Sequence, residues 1–212
     1  MIENGLDAGI PHDGRPHDTC AFRDADGEFA LNYGKLGHGE VHTVYPQHKL
    51  VADLTDEYLR RGGTLRFGET VTSVDPATAT VRFSGAKGVG QATGQFVVGF
   101  DGSNGVTNGA VLTTSTIRYA RDHGISWLAI LAEAPPSLSA VTYAMHDNGF
   151  AGHMTRSPQV TRYYLQVEPH DDPAVWSDER IWCELGVRMW TNELGPLQQG
   201  KVLASAFRAI LS

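Results

Sequence analysis

A chain of 212 residues with 41% hydrophobic and 19% charged residues has ordinary globular usage and enough length for one generous domain or two small ones. Seventeen Lys and Arg against 24 Asp and Glu leave a formal net charge of −7, which excludes a general attraction to nucleic acid or an anionic membrane, so an anionic ligand needs locally placed arginines. Cys20 and Cys183 form no CxxC and indicate neither a disulfide framework nor a zinc ribbon, which fits a reducing, cytoplasmic setting; the longest apolar run, 125–132, is about half a membrane span, and MIENGLDAG lacks the features of a signal peptide.

From 9 to 45, short mixed segments alternate with Gly, Asp and His, the pattern of a hairpin-rich β region with its clearest turn at Asp26-Gly27. The HGEVH run holding His38 and His42 has Glu one place off the HExxH position and a glycine beside the first His, so no metal is expected there. The other histidines read as surface or turn residues. Residues 47–61 carry Leu50, Val51, Leu54, Tyr58 and Leu59 on one stripe at helical spacing, which predicts the best helix in the chain, stopped by Gly62-Gly63. Short strands are expected at 64–67, 71–74 and 80–83, with turns at Asp75-Pro76 and in the glycine-rich stretch 85–94.

The stretch QFVVGFDGSNG, 95–105, reads as the centre of the chain. Phe96, Val97, Val98 and Phe100 make a nearly continuous apolar run that suits a strand buried on both faces, ended by Asp101 and Gly102 where open α/β sheets bind ligands. On these residues alone an ordinary Asp-Gly turn is the commoner reading. After Gly105 the pattern weakens up to Tyr119. Residues 125–134 read as a strand stopped by Pro135-Pro136, and strands at 141–144, 149–155 and 161–167 follow with turn signals at Asp147-Asn148 and Ser157-Pro158. Hairpin-length connections between them predict an antiparallel sheet as a second structural unit. Residues 172–190 read as a helix with Ser177 as N-cap, Asp178 and Glu179 in its first turn, and Ile181, Leu185, Val187 and Met189 as apolar contacts. The end, 191–212, carries only a helix signal over 201–211.

Five collinear segments, TVYPQHKLVADL (43–54), FVVGFDGSNGV (96–106), GISWLAILAEAPP (124–136), GFAGHMTRSPQVTRYYLQV (149–167) and VWSDERIWCEL (175–185), together resemble the flavin-dependent aromatic hydroxylases, and among them the 4-hydroxybenzoate 3-monooxygenases. The resemblance implies a fold class of α/β plus antiparallel sheet: a partial FAD/NAD(P)-binding-type domain with a hairpin insertion at 1–118, a substrate-binding sheet and helix at 119–190, and a divergent tail at 191–212. In that family NADPH reduces FAD, and the reduced flavin with O2 hydroxylates a phenol ring beside its existing hydroxyl, the protein supplying position and electrostatics. The resemblance implies that Asp101, Gly102 and Gly105 belong to the motif that meets the FAD ribose and approaches the pyrophosphate, with Gln47 at the helix start facing the flavin nucleotide. It implies Arg162 between flavin and substrate, Arg156 and Tyr164 on a benzoate carboxylate, and Trp127 lining the ring pocket. Tyr143 is implied as the catalytic residue, bonded to the substrate phenol through which the ring is activated by proton removal. Without the resemblance, Arg156, Arg162 and Tyr164 read as a solvated sheet face and Tyr143 and Trp127 as core or rim aromatics.

Departures accompany the matches. Met154 stands where the family carries a small hydroxyl donor to the carboxylate, so the clamp has one donor fewer or the ligand differs. Asn104 and Asn108 replace a His and an Arg that serve NADPH, which weakens the expectation of pyridine nucleotide binding. Family members are much longer, with a GxGxxG segment and a second Gly-Asp motif that do not occur in these 212 residues. The chain is therefore expected to be the middle portion of such an enzyme and, expressed alone, to purify without tightly bound flavin. The alternative is a non-catalytic module that keeps an arginine-lined pocket. The expected partner is a small aromatic acid, with neither nucleic acid nor membrane, and a homodimer is the candidate assembly.

Overall fold

The computed structural model describes residues 5–6, 9–39, 41–102, 104–111, 121–189 and 197–211. Along the chain they form α1 (Ile10–Asp13), β1 (Arg15–His17), β2 (Thr19–Asp24), β3 (Gly27–Asn32), α2 (Tyr33–Leu36), β4 (His42–Val44), α3 (Gln47–Arg60), β5 (Glu69–Asp75), β6 (Thr80–Gly85) and β7 (Gly88–Thr93). There follow α4 (Val106–Val111), β8 (Asp122–Glu133), β9 (Val141–Ala144), β10 (Ala151–Ser157), β11 (Val160–Val167), α5 (Asp178–Arg188) and β12 (Lys201–Leu211). By contacts the chain falls into two compact units, Met1–Glu57 with Ala120–Ser212, and Tyr58–Tyr119. Helices and sheets combine as an α/β arrangement plus an antiparallel sheet, the expected class.

The larger unit is built on a seven-stranded sheet in the order β12-β8-β11-β10-β9-β2-β3. The expected strands at 125–134, 141–144, 149–155 and 161–167 are present, and β11 pairs antiparallel with both β10 and β8. Side chains on β8 and β11 alternate in burial, because successive residues of a strand point to opposite faces. Leu128, Ile130, Ala132, Tyr163, Leu165 and Val167 fill one face, and Ile181, Trp182, Leu185 and Met189 of the α5 region complete that core. Ser177 caps α5 as expected, its hydroxyl accepting from the Arg180 amide at 3.2 Å. Val187 is a correction: it is 44% exposed, since six positions after Ile181 the helix has turned it away from the sheet.

Three further expectations on this unit meet corrections. Residues 201–211 form strand β12 rather than a helix, paired antiparallel along β8. Helix propensity is a weak preference, and the ladder offered by the edge of β8, with Val202 and Phe207 packed on the core, overrides it. The hairpin β2–β3, turning at Asp26-Gly27 with Gly27 at φ 138°, is present. It joins the same sheet as the later strands, through parallel pairing of β2 with β9. The short helices α1 and α2 interrupt what reads as a purely β region. Tyr119, where the second sheet was expected to begin, lies outside the described residues.

Helix α3 ends at Gly62-Gly63, where Gly62, at φ 84°, donates to the Leu59 carbonyl and Gly63 to that of Tyr58, each at 2.9 Å. Its apolar stripe is real but uncovered among the described residues, with Val51, Leu54, Tyr58 and Leu59 all exposed.

The smaller unit holds the antiparallel meander β5-β6-β7 and α4. The glycine-rich stretch 85–94 is a hairpin rather than a loop, with Gly85 opposite Gly88. A side chain at Gly90 would run into the ring of Phe83, the buried aromatic of this sheet, over which the Arg66 guanidinium sits at 4.2 Å. Residues 64–67 are not a strand. Nor is the central stretch: 95–100 has no strand pairing, and Phe96 and Phe100 are 74% and 94% exposed. A strand exists through its ladder, and the three strands of this unit pair only with one another.

Candidate functional site

The face of the seven-stranded sheet away from α5 collects most of the residues singled out from sequence. On β11, Tyr163 and Leu165 point into the core, so Arg162 and Tyr164 point the other way. Cross-strand register places Met154 opposite Arg162, Gly152 opposite both Tyr164 and Tyr143, and Trp127 opposite Gln166. Directly opposite residues share a face, which puts Tyr143, Met154, Arg162, Tyr164 and Trp127 on one side. Arg162 Nη1 donates to the Tyr164 hydroxyl at 3.2 Å. Trp127 meets Tyr164 edge-on at 5.2 Å, and Phe150 lies 5.0 Å from Trp127 and 6.0 Å from Tyr143. Gly152 is the floor of this aromatic group, since a Cβ there would come within 3.3 Å of the Phe150 ring.

Arg156 is the extra residue where the β10 register shifts between Thr155 and Ser157, a bulge that re-aims its side chain. Burial and then the neighbouring Arg162 charge lower its pKa. Neither arginine has a carboxylate partner among the described residues. Two like charges held together without a counter-charge make a local positive potential in an otherwise acidic protein.

A cleft of about 560 Å³ brings Arg156, Tyr143 and Met154 together with Cys20 of β2, Tyr33 of α2, and His17 and His42 of the paired strands β1 and β4. Arg162, Tyr164 and Trp127 are not in its lining. Burial, before the charges of Cys20 and Tyr164, pushes the Tyr143 phenol up, so it stays protonated at neutral pH. Tyr33 is likewise pushed up by burial, with Cys20, Asp18 and Tyr143 contributing. Its oxygen lies 2.5 Å from His17 Nδ1 and 3.1 Å from the His17 carbonyl, and the His42 ring meets it edge-on at 4.9 Å. Burial lowers the His17 pKa, His42 adding to it, so this imidazole is neutral at pH 7. No local pattern marks Tyr33 or His17, and the histidines outside the HGEVH run read from sequence as surface or turn residues. The β1–β4 pairing, His17 opposite His42, carries the two histidines to the cleft, and Tyr33 meets His17 from the start of α2.

Of the residues expected to meet a flavin nucleotide, Gln47 is the exposed first residue of α3 in the larger unit. Asp101, Gly102 and Gly105 form a turn ahead of α4 in the smaller one. The Asp101 carboxylate accepts from the Thr107 amide at 3.0 Å and from its hydroxyl, which lowers its pKa. Gly102 sits at φ 74°, and a Cβ at Gly105 would collide with that carboxylate. An exposed, ionised carboxylate with lone pairs left beyond Thr107 fits the ribose hydroxyls of FAD. Among the described residues no group of three His, Cys, Asp or Glu could hold a metal ion, and no helix is long and apolar enough to cross a membrane.

Residues 1–196 match the family described as FAD binding domain. The chain is 29% identical over 192 residues to a p-hydroxybenzoate hydroxylase of Acinetobacter baylyi, covering 89% of this chain and 47% of that protein. In fold it is similar to p-nitrophenol 4-monooxygenase from Pseudomonas putida, with a TM-score of 0.80 at 15% identity over 99% of this chain and 55% of the other. It is similar also to aklavinone-11 hydroxylase, solved as a ternary complex with FAD and aklavinone, with a TM-score of 0.68 at 15% identity over 99% and 43%. The chain spans about half the length of these proteins.

Proposed function

The chain belongs to the family described as FAD binding domain, and from that premise we propose that it contributes the substrate cleft of an FAD-dependent aromatic monooxygenase hydroxylating 4-hydroxybenzoate or a similar phenolic acid, with NADPH and O2. FAD, when bound, supplies the oxygen activation that no side chain provides. Arg156 holds the carboxylate, with the Arg162 charge reinforcing the potential around it. Tyr143, neutral and without a hydrogen bond to the described residues, meets the phenol oxygen and relays its proton, giving up its own hydroxyl proton to water in the cleft as it takes the substrate's. Tyr164 and Trp127, outside the cleft lining but on the same sheet face, back the ring pocket from beside Phe150, and Met154 leaves the carboxylate to depend on arginine more heavily than a hydroxyl there would. Asp101 meets the FAD ribose, and Gln47 the nucleotide.

The observation that carries this reading is that Arg156 and Tyr143 line one cleft and that Arg156 and Arg162 have no carboxylate partner among the described residues. Calorimetric titration with 4-hydroxybenzoate tests it. Arg156→Ala is expected to weaken binding by about 2 kcal/mol, the scale of a charge-assisted hydrogen bond, while Arg61→Ala at an exposed site is expected to do little. Equal losses at the two positions would overturn a specific clamp. Binding of the acid by the FAD-loaded protein without NADPH consumption would favour the second reading, an aromatic-acid-binding module.

A further inference from the structure

The cleft holds a polar group that the proposed roles leave unused. Tyr33 is fixed at the start of α2: its amide donates to the Asp18 carbonyl at 2.9 Å, and the preceding Asn32 caps the helix by accepting from the Lys35 amide at 2.7 Å. Its hydroxyl has one proton, and both neighbours that take it are on His17, the ring Nδ1 at 2.5 Å or the backbone carbonyl at 3.1 Å. In either arrangement that proton is committed inside the protein, and the phenol oxygen has only lone pairs to offer a ligand. Tyr143 is different, since its hydroxyl makes no hydrogen bond to the described residues and can donate or accept. Cys20 and Tyr143 lie close enough to bear on the Tyr33 phenol, so the two hydroxyl-bearing rings line the same region of the cleft.

We propose that Tyr33 is a specificity-determining residue of this cleft, selecting aromatic acids that carry a second hydrogen-bond donor on the ring carbon beside the first hydroxyl. The proposal rests on the reading that Arg156 and Tyr143 hold the two ends of a hydroxybenzoate. With one hydroxyl on Tyr143, a ring bound in that orientation brings a neighbouring substituent to an acceptor-only oxygen. A donor there is paired, whereas a substituent with lone pairs alone faces another lone pair and leaves both unmatched. The ligand class is therefore an ortho-dihydroxy or ortho-aminohydroxy aromatic acid.

The test is calorimetric titration of the chain and of Tyr33→Phe with 4-hydroxybenzoate and 3,4-dihydroxybenzoate at pH 7, with circular dichroism melts to compare folding. The unaltered chain is expected to bind the dihydroxy acid more tightly. Tyr33→Phe is expected to weaken that acid about tenfold while changing 4-hydroxybenzoate by less than about twofold. A probe that needs no variant is 3-fluoro-4-hydroxybenzoate, which keeps a small acceptor but no donor and is expected to bind the unaltered chain at least about tenfold more weakly than the dihydroxy acid. Equal effects of Tyr33→Phe on both acids, or equal affinity for the fluoro and dihydroxy acids, overturn the assignment of Tyr33. If Arg156→Ala abolishes binding of both acids in that case, the wider reading survives alone. Failure of every acid to bind the unaltered chain overturns both.

Discussion

His153 shows what a single residue imposes on the sheet. It is buried on β10 beside Tyr163, at 5.4 Å between ring centroids, with neither ring nitrogen in a hydrogen bond of ordinary geometry to the described residues. Burial pushes its pKa down to about 4. The unfolded chain has an ordinary imidazole near 6.5 and takes up a proton below that pH, while the folded state resists until about 4. Stability held above pH 6.5 is therefore lost as the pH falls from about 6.5 towards 4, by about 3 kcal/mol at most. His153→Leu removes the titrating group along with an unpaired buried polar ring, and is expected to be neutral or stabilising at pH 7 and to flatten this acid limb. Urea denaturation at pH 7.5 and pH 4.5 measures it; an unchanged pH dependence in the variant would assign the acid sensitivity elsewhere.

At the scale of elements, α5 decides whether the sheet has a core. Ile181, Leu185 and Met189 recur every four residues and are all essentially inaccessible, while Val187 lies off that stripe. Leu185→Ala is expected to cost about 3 kcal/mol, transfer and cavity terms together, and Val187→Ala no more than about 0.5 kcal/mol. Comparable shifts in the urea midpoint for the two variants would contradict the helix orientation. Strand β12 and the stretch 95–100 carry the opposite lesson. Both contain residues fit for more than one conformation. Pairing with β8 makes one of them a strand, and the want of a ladder leaves the other irregular despite its apolar run.

At the scale of the whole molecule, each unit shows apolar residues to solvent: Val51 and Leu54 in the larger, and Tyr58, Leu59, Val89, Phe96 and Phe100 in the smaller. Such surface drives association in water. The 212-residue polypeptide is expected to enhance the fluorescence of an apolar dye and to self-associate at micromolar concentration, and a monodisperse, dye-silent monomer in light scattering would refute this. Elements whose signals are local were legible in the residues alone. Helical spacing and the Gly62-Gly63 stop marked α3, Ser177 marked the start of α5, and prolines and Asp-Asn turns divided β8 to β11. Five matching segments also pointed to the family and to Tyr143, Met154, Arg162, Tyr164 and Trp127 as candidates, which period-two alternation sets on one sheet face. What depends on residues far apart in the chain was settled by folding. It joined β2 to β9, laid 201–211 against β8, left 95–100 unpaired, and brought Tyr33 and His17 to the cleft of Arg156. Strand pairing across long separations is chosen by which edges and faces remain to be satisfied, and no local pattern records that choice.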